Sequence, residues 1–324
     1  MVLVVVVNWN GAEVLGECLE GLRRQAYRDF SGIVVDNGSS DDSVKLVSMH
    51  YPEVKVISLA TNFGFCVANN IAMKGIKDGY VALLNNDAVP EPNWMGSLVE
   101  ALDTSPEAGF AASKMLLYHD RDKIDRAGDA YTRAGTGLLR GRGSPASEYN
   151  EREWIFGACA GAALYRTSML ADIGFFDEDL FLLYEDVDLS FRAQLMGYRC
   201  LYVPEAIVYH KASSSIVQDS PVSVYYSHRN LEWVYIKNMP KKLILKTIVP
   251  HVIYNIGALF YFALVGRLKQ FIKAKVDALK GINLALEKRR GIQARKRVDD
   301  SYLWNLLEKE RFLPRLARRR LQRT

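Results

Sequence analysis

The chain of 324 residues is 49% hydrophobic and 24% charged, which suits one large domain, or one domain with an appendage, around a sizeable core. This composition excludes a disordered, collagen-like or small disulfide-stapled protein. The formal net charge of +5 hides a split, because positions 266–324 carry 18 Lys and Arg against 6 Asp and Glu while the remainder is net acidic. A basic tail on an acidic body points to an anionic partner, either nucleic acid or phospholipid.

Val2–Val7 is a continuous β-branched run, too short for a signal peptide, and reads as a buried strand ending in Asn8-Trp9-Asn10-Gly11. Leu15, Leu19 and Leu22 follow at helical spacing. Gly32–Val35 is a second strand, stopped by Asp36-Asn37-Gly38-Ser39-Ser40-Asp41-Asp42, with two overlapping N-cap candidates before a helix over Ser43–His50. Val54–Leu59 reads as a third strand, Phe65–Gly75 as a helix, and Tyr80–Leu84 as a fourth strand ended by Asn85-Asn86-Asp87. Strands alternating with helices imply a parallel, doubly wound α/β sheet, whose ligands sit beyond the carboxyl ends of the strands. The polar clusters fall there.

From Leu117 to Arg152 the pattern dissolves into Gly, Arg, Asp and Tyr, which predicts a long loop or a β-excursion over the site. Order returns at Ile155–Tyr165, followed by a helix from Ser168, the acidic run Asp177-Glu178-Asp179, and a helix opened by Glu185-Asp186-Val187-Asp188. Cys200–Val203 and Ala206–Tyr209 read as two short strands, and the chain is helical from Pro221 onward. The four cysteines, Cys18, Cys66, Cys159 and Cys200, are far apart with no CxxC, so structural zinc and disulfides are not expected and a reducing cytosol fits.

Five constellations could carry chemistry. Asp36-Asn37 at a strand end can accept from a base imide or a ribose hydroxyl, or can be a plain Asx-turn. Asn62-Phe63-Gly64-Phe65 with Asn69-Asn70 starts a helix whose free N–H groups could face a ligand. Asn85-Asn86-Asp87 is an oxygen-rich strand end able to hold Mg²⁺ or Mn²⁺ on a diphosphate, or a polar turn into the Trp94 helix. Glu185-Asp186 could be dipole partners of their helix, but the apolar run Phe181–Tyr184 before them favours desolvated carboxylates suited to general-base work. His210 closes a strand before Lys211-Ala212-Ser213-Ser214 and could donate a nitrogen to a metal, or be a satisfied histidine.

Together these segments resemble the family 2 glycosyltransferases, of the nucleotide-diphospho-sugar transferase (GT-A) fold, in the rhamnosyltransferase-like branch. The matching stretches are Val6–Gly11, Val35–Asp41, Asn62–Phe65, Leu83–Asp87, Gly174–Glu178 and Tyr184–Arg192, within about 2–238. The resemblance implies a GT-A domain over 1–238, with a nucleotide-binding part to about 115 and an acceptor part to 238, and a helical, amphipathic, basic region over 239–324. It implies that Asp36 binds the uracil or thymine of a UDP- or dTDP-sugar, with Asn8, Asn10, Asn37, Asn62, Gly64, Asn69, Asn85 and Asn86 lining the donor. It places Asp87 where the family has the metal carboxylate of its DxD, with Asn85 in place of the first Asp. Asp186 matches the catalytic base beside Glu185, and His210 a metal-binding histidine for Mn²⁺ or Mg²⁺. No QxxRW follows Asp186, so one sugar per encounter is expected. Arg229-Asn230 matches a pair seen shortly after the domain, without an assigned role.

The expected reaction is a single inverting displacement onto a hydroxyl of a cell-surface glycan or polyprenyl-diphosphate-linked acceptor. Thr247–Val265 is apolar and barely long enough to span a bilayer, and Pro250, His251 and Asn255 count against spanning. With the basic stretches 267–280, 288–297 and 315–323 it predicts an interfacial anchor on the cytoplasmic face of a membrane. A helical hairpin packed on the catalytic domain or forming a homodimer is the alternative. Nucleic acid is disfavoured, since no recognition module accompanies the charge. A dinucleotide enzyme would need GxGxxG after the first strand, which is absent. A nucleotidyltransferase would need a Gly-rich basic loop there. A transferase-like membrane scaffold is the non-enzymatic alternative.

Overall fold

The computed structural model describes residues 1–76, 78–211 and 219–309. Ser213-Ser214 and the basic stretch 315–323 therefore lie outside the described residues.

The first third follows the apolar periodicity closely. Strand β1 (Val2–Asn8), helix α1 (Ala12–Arg23), β2 (Phe30–Asp36), α2 (Ser43–His50), β3 (Lys55–Ser58), α3 (Gly64–Met73) and β4 (Tyr80–Leu84) succeed one another. The β-branched run of β1 is buried on both faces, as a central parallel strand requires. Fully burying each such side chain contributes about 1.5–3 kcal/mol. Leu15, Leu19 and Leu22 of α1 are buried against the same sheet.

Next come β5 (Ala88–Pro90), α4 (Trp94–Asp103), β6 (Ala108–Leu117), β7 (Asp120–Ala127), β8 (Asp129–Tyr131), β9 (Gly137–Leu139), β10 (Glu153–Ile155) and β11 (Ala162–Arg166). Then α5 (Thr167–Ile173), α6 (Glu185–Leu195) and β12 (Arg199–His210) complete the α/β body. The sheet runs β10-β12-β6-β11-β4-β1-β2-β3, with β5 on β12 and β7 on β6. Its β4-β1-β2-β3 half is parallel throughout, and β11 is antiparallel to both neighbours.

Of the two forms expected for Leu117–Arg152 the β-excursion is the one present, because Ile124, Ala127, Ala130 and Tyr131 supply a buried face that β7 and β8 carry into the core. One expectation changes. The two short strands expected over Cys200–Tyr209 are one strand, β12. A register shift between Val203 and Ile207 accommodates Pro204 without ending the pairing with β6.

Among the described residues five helices follow: α7 (Pro221–Asn238), α8 (Lys241–Leu264), α9 (Leu268–Lys280), α10 (Ile282–Ala294) and α11 (Asp300–Leu306). They fold back on the body, since Leu303 and Leu307 join the main core and Glu308 N–H donates to Tyr131 O at 2.9 Å. Helix α8 is long and apolar enough to cross a membrane, yet only 22% of its most apolar stretch is buried. One side is tied to α7: His251 Nε2 lies 3.0 Å from Glu232 Oε2, and Tyr235 Oη lies 2.8 Å from Thr247 Oγ1.

Burial pushes the Glu232 carboxyl up, but His251 and Lys275 outweigh it and hold the group down to about 2. A depressed carboxyl stabilises the fold above its unfolded value and loses that contribution as pH falls through the folded one. Glu232→Gln should therefore flatten the decline in unfolding free energy between about pH 4 and pH 2, measured by urea titration across that range. An unchanged slope would show that the α7–α8 ion pairs do not hold the helices together.

Candidate active site

The site is assembled where β1, β2 and β4 end. Parallel pairing sets Asn8 opposite Asp36, and β4 ends beside them. Asn8 Nδ2 donates to Asp36 Oδ1 at 3.1 Å, and Asn86 Nδ2 donates to Asn8 Oδ1 at 2.8 Å. Asp36 Oδ2 also accepts from Ser39 N–H at 3.1 Å. Gly11 is needed here, since a Cβ on it would stand 2.2 Å from Asn86 Nδ2 and 2.4 Å from Asn8 Oδ1. Asn10 adopts a positive φ of 49° and accepts from Ser40 N–H at 2.8 Å, so it shapes the loop between β2 and α2.

Before α2, Asp42 makes no side-chain cap bond, while Asp41 Oδ1 accepts from Ser43 N–H at 3.1 Å.

Asn37, Asn62 and Gly64 build the start of α3. Asn37 Nδ2 donates to Asn62 Oδ1 at 3.0 Å, Asn37 Oδ1 accepts from Phe63 N–H, and Asn62 Oδ1 accepts from Gly64 N–H. Gly64 has φ +86°, and a Cβ there would lie 2.5 Å from the Phe181 ring. Asn69 is buried and donates to Phe65 O one turn back in its own helix, whereas Asn70 ties α3 to Phe176 O and Glu178 Oε1.

Strand β5 pairs antiparallel with β12 and thereby brings Asp87 beside His210. Lys211 N–H donates to Asp87 O at 3.0 Å. His210 Nε2 lies 3.2 Å from Asp87 Oδ1, and Asn85 Nδ2 is 3.5 Å from the same nitrogen. On its other side His210 Nδ1 is 2.8 Å from Asp125 Oδ2, and Asp125 also pairs with Arg142. Burial disfavours the imidazolium, but the hydrogen bonds to Asp125 and Asp87 prevail and push His210 up to about 9. Two carboxylates around one imidazole make a place that calls for positive charge. Asp125 fixes the ring so that Nε2 faces Asp87, the usual way a ligating histidine is oriented.

Asp125 sits in a bulge, since Met115 faces Arg126 and Leu116 faces Ile124 across β6–β7. The next residue, Arg126, reaches the third cluster. Its Nη1 is 3.3 Å from Asp129 Oδ1, 3.6 Å from Asp186 Oδ2 and 3.1 Å from Cys159 Sγ. The ligand atoms of Asp129, Cys159 and Asp186 all lie within 4.8 Å of one another, and the guanidinium already supplies their positive charge. Asp186 Oδ1 accepts from Val187 N–H at 2.8 Å. Burial, together with the charge of Asp186, pushes Asp129 well above the usual carboxylate range and Glu185 up to about 8. Glu185 Oε2 and Asp129 Oδ2 are buried without a hydrogen-bond partner.

Asp36, Asp87 and Asp186 are therefore linked in three contact sets, through Asn8 and Asn86, through His210 and Asp125, and through Arg126, with Asn86-Asp87 and Asp125-Arg126 adjacent in the chain. Asp125, Arg126 and Asp129 were not singled out from sequence. They stand in a stretch crowded with Asp and Arg, and no local spacing marks which of these turn inward. A cavity of about 420 Å³ lies elsewhere, between the Ile173–Glu178 segment and α10. Its Arg192, Lys237 and Lys288 are paired with Asp188, Asp177 and Asp179.

The family profile described as "Glycosyl transferase family 2" matches residues 3–174. The chain is 28% identical over 259 residues to the N-acetylglucosaminyl-diphospho-decaprenol L-rhamnosyltransferase of Mycobacterium tuberculosis, covering 72% of this chain and 83% of that protein. Its fold is similar to that of S. aureus TarS 1-349 in complex with UDP-GlcNAc, with TM-score 0.58 and 19% identity over 90% of this chain and 88% of that one. It is similar also to GalNAc-T7 with UDP, GalNAc and Mn²⁺, with TM-score 0.61 and 16% identity over 74% of this chain. Here the chain spans about half the length of its relative, 48%. The nucleotide-diphospho-sugar transferase fold expected from the motifs is thus present.

A raised carboxyl has the opposite linkage to Glu232. Between the unfolded value and about 8, folding must take up a proton at Glu185, so stability falls as pH rises through that window. Glu185→Gln should raise the melting temperature relative to wild type, with a gain that grows from about pH 5 to pH 8. Differential scanning fluorimetry over that range checks it, and a gain independent of pH would contradict a buried neutral Glu185.

Proposed function

We propose that this chain, which belongs to glycosyl transferase family 2 and is a glycosyltransferase, moves one sugar per encounter from a UDP- or dTDP-sugar to a hydroxyl of a polyprenyl-diphosphate-linked glycan, inverting the anomeric centre. The observation that carries this reading is that three sets of side-chain contacts, Asp36–Asn8–Asn86, Asp87–His210–Asp125 and Arg126–Asp186, follow one another through the adjacent pairs Asn86-Asp87 and Asp125-Arg126. The rhamnosyltransferase name of the M. tuberculosis relative supports a deoxyhexosyl donor and a lipid-linked acceptor.

Asp36 keeps lone pairs beyond those taken by Asn8 and Ser39, and these accept from the imide N–H of the donor base. Asp87 and His210 would hold a divalent cation, with Asn85 beside them, and the donor set of one carboxylate and one oriented imidazole suits Mn²⁺ or Mg²⁺. Such a cation neutralises charge on the departing diphosphate. Asp186 takes the proton of the acceptor hydroxyl while that oxygen bonds to the anomeric carbon. The bond to the diphosphate breaks on the opposite face, and the nucleoside diphosphate leaves with the bonding pair. Arg126, with Nη1 3.6 Å from Asp186 Oδ2, orients that carboxylate.

Asp186→Asn should lower kcat by about 10²–10⁴-fold while leaving nucleotide affinity within about twofold. Asp125→Asn should weaken Mn²⁺ binding by about 10–100-fold. Radiolabelled sugar transfer and calorimetric titration of Mn²⁺ and nucleotide measure these. Near wild-type turnover in Asp186→Asn would remove the base assignment, and unchanged Mn²⁺ affinity in Asp125→Asn would remove the histidine-orienting one.

The acceptor's lipid fits the tail. Leu245, Val249, Val252, Ile256, Phe260 and Leu264 recur every three or four residues along α8 and are 47–87% exposed. Leu268, Ile272, Val276 and Leu279 continue this along α9, accompanied by the exposed Lys242, Lys246, Lys269 and Lys280. With His251 and Thr247 tied to α7, α8 lies along the interface rather than through it. This apolar and basic face supports a position on the cytoplasmic face of a membrane. The enzyme should cosediment with vesicles containing 30% anionic lipid, about 1 kcal/mol per basic residue being at stake. Leu245→Glu with Phe260→Glu should abolish this without changing turnover on a water-soluble acceptor. Cosedimentation of the double variant at wild-type levels would refute the docking face.

A further inference from the structure

We propose that Arg229 and Asn230, on α7, are positioning residues for Asp186, acting through the segment Phe181–Tyr184. This rests on the reading of Asp186 as the base and adds to it the element that aims it. The pair lies more than forty residues from Asp186 in the chain, and no hydrogen bond or ion pair joins either residue to it.

The segment is conformationally unusual. Phe181, Leu183 and Tyr184 have φ of 64°, 65° and 71°, in the left-handed region, although none is glycine. Side chains with a Cβ rarely hold that conformation, so three such residues among four require outside restraint. Tyr184 is also the residue from which α6 starts, with its carbonyl accepting from Asp188 N–H. The path of this segment therefore sets where Glu185 and Asp186 begin.

The restraint comes from α7. Asn230 is fully buried, and its Nδ2 donates to Leu180 O at 2.9 Å, Leu182 O at 2.9 Å and Leu183 O at 2.7 Å. Arg229 Nη2 donates to Asp179 O at 2.8 Å and Leu180 O at 3.0 Å. Arg229 Nε donates to Asn230 Oδ1 at 2.9 Å. This last bond decides which way the amide faces: with its oxygen held by the guanidinium, its nitrogen must point at the three carbonyls. Arginine followed by asparagine is thus one device, since the first sets the amide orientation and the second uses it. The Arg229 guanidinium lies over Trp233 at 4.4 Å and Tyr226 at 5.0 Å, which fixes it in turn.

The same segment touches the donor side. Phe181 O accepts from Cys66 N–H at 3.3 Å, and the Phe181 ring lies against Gly64 at the start of α3 and stacks on Tyr226 at 5.1 Å. The Tyr184 hydroxyl accepts from Gly137 N–H at 3.2 Å. One strained segment, clamped by α7, therefore spans from the proposed donor helix to the proposed base.

The test uses the full chain with Asn230→Asp, which keeps the shape but sets a carboxylate with no donor against three carbonyl oxygens. Arg229→Lys is the milder partner, because an ammonium cannot hold the amide and both carbonyls in the same fork. Three quantities are read: kcat for transfer, affinity for the nucleoside diphosphate, and hydrogen–deuterium exchange of the peptides covering 179–187. Asn230→Asp should lower kcat about 10- to 100-fold with nucleotide affinity within about twofold, and should speed exchange in 179–187 but not in β1 or β4. Arg229→Lys should move the same readouts in the same direction by less, and it decides the matter if Asn230→Asp does not fold.

Unchanged kcat, a loss of nucleotide affinity matching the loss of kcat, or unchanged exchange over 179–187 would each overturn the proposal. Exchange is read without substrate, so the clamp stands or falls even if Asp186→Asn shows that the base reading is wrong.

Discussion

The in-register pairing of three parallel strands is the constraint on which the site depends. With Val2 opposite Phe30 and Val2 opposite Tyr80, β1, β2 and β4 finish at one edge, and their first polar residues meet there. Because strand side chains alternate, a slip of one residue would turn Asn8 and Asp36 to opposite faces and break their hydrogen bond. The valine run, buried on both faces, holds β1 in the centre of the sheet, and the polar Asn8 at its end marks the register by meeting Asp36.

Charge is handled differently on the two sides of α6. Asp188, fully buried, is met by Arg192 Nε at 2.9 Å, Lys237 Nζ at 2.8 Å and Asn238 Nδ2 at 2.7 Å, so its burial is compensated by charge and hydrogen bonds. Lys237 and Lys288 extend this network to Asp177. One turn earlier, Asp186 shares the single guanidinium of Arg126 with Asp129, and Glu185 Oε2 and Asp129 Oδ2 have no hydrogen-bond partner. The first arrangement locks α6 to α7. The second leaves carboxyls short of positive charge, so that protons are held unusually tightly at Asp129 and Glu185, an environment suited to proton transfer.

The tail joins these parts to a second surface. Helix α7 packs one side on α6 and carries Arg229 and Asn230 towards the strained segment, while His228 meets Phe262 of α8 and Phe271 of α9 edge-on. The basic excess of the last sixty residues, read at first only as a sign of an anionic partner, is partly spent within the fold: Arg295 and Arg297 pair with Asp172, and Lys288 with Asp177 and Asp179. Lys242, Lys246 and Lys269 remain exposed beside the apolar face.

By itself the sequence determined the elements whose signal is local. The valine run, the leucines of α1, the helix over Ser43–His50 and the acidic start of α6 all follow from periodicity and turn residues that act within a few positions. The motif residues Asp36, Asp87, Asp186 and His210 were legible for the same reason, as polar groups placed where an apolar run stops. Only tertiary structure decided their company. Asp125, Arg126 and Asp129 face the site because a bulge in β7 turns consecutive residues to different partners. Asn230 acts on a segment some fifty residues earlier because α7 crosses it. Cys200–His210 is one strand because β6 continues to pair with it past Pro204. Each of these outcomes depends on a partner distant in the chain, and no spacing between neighbouring residues encodes which partner that will be.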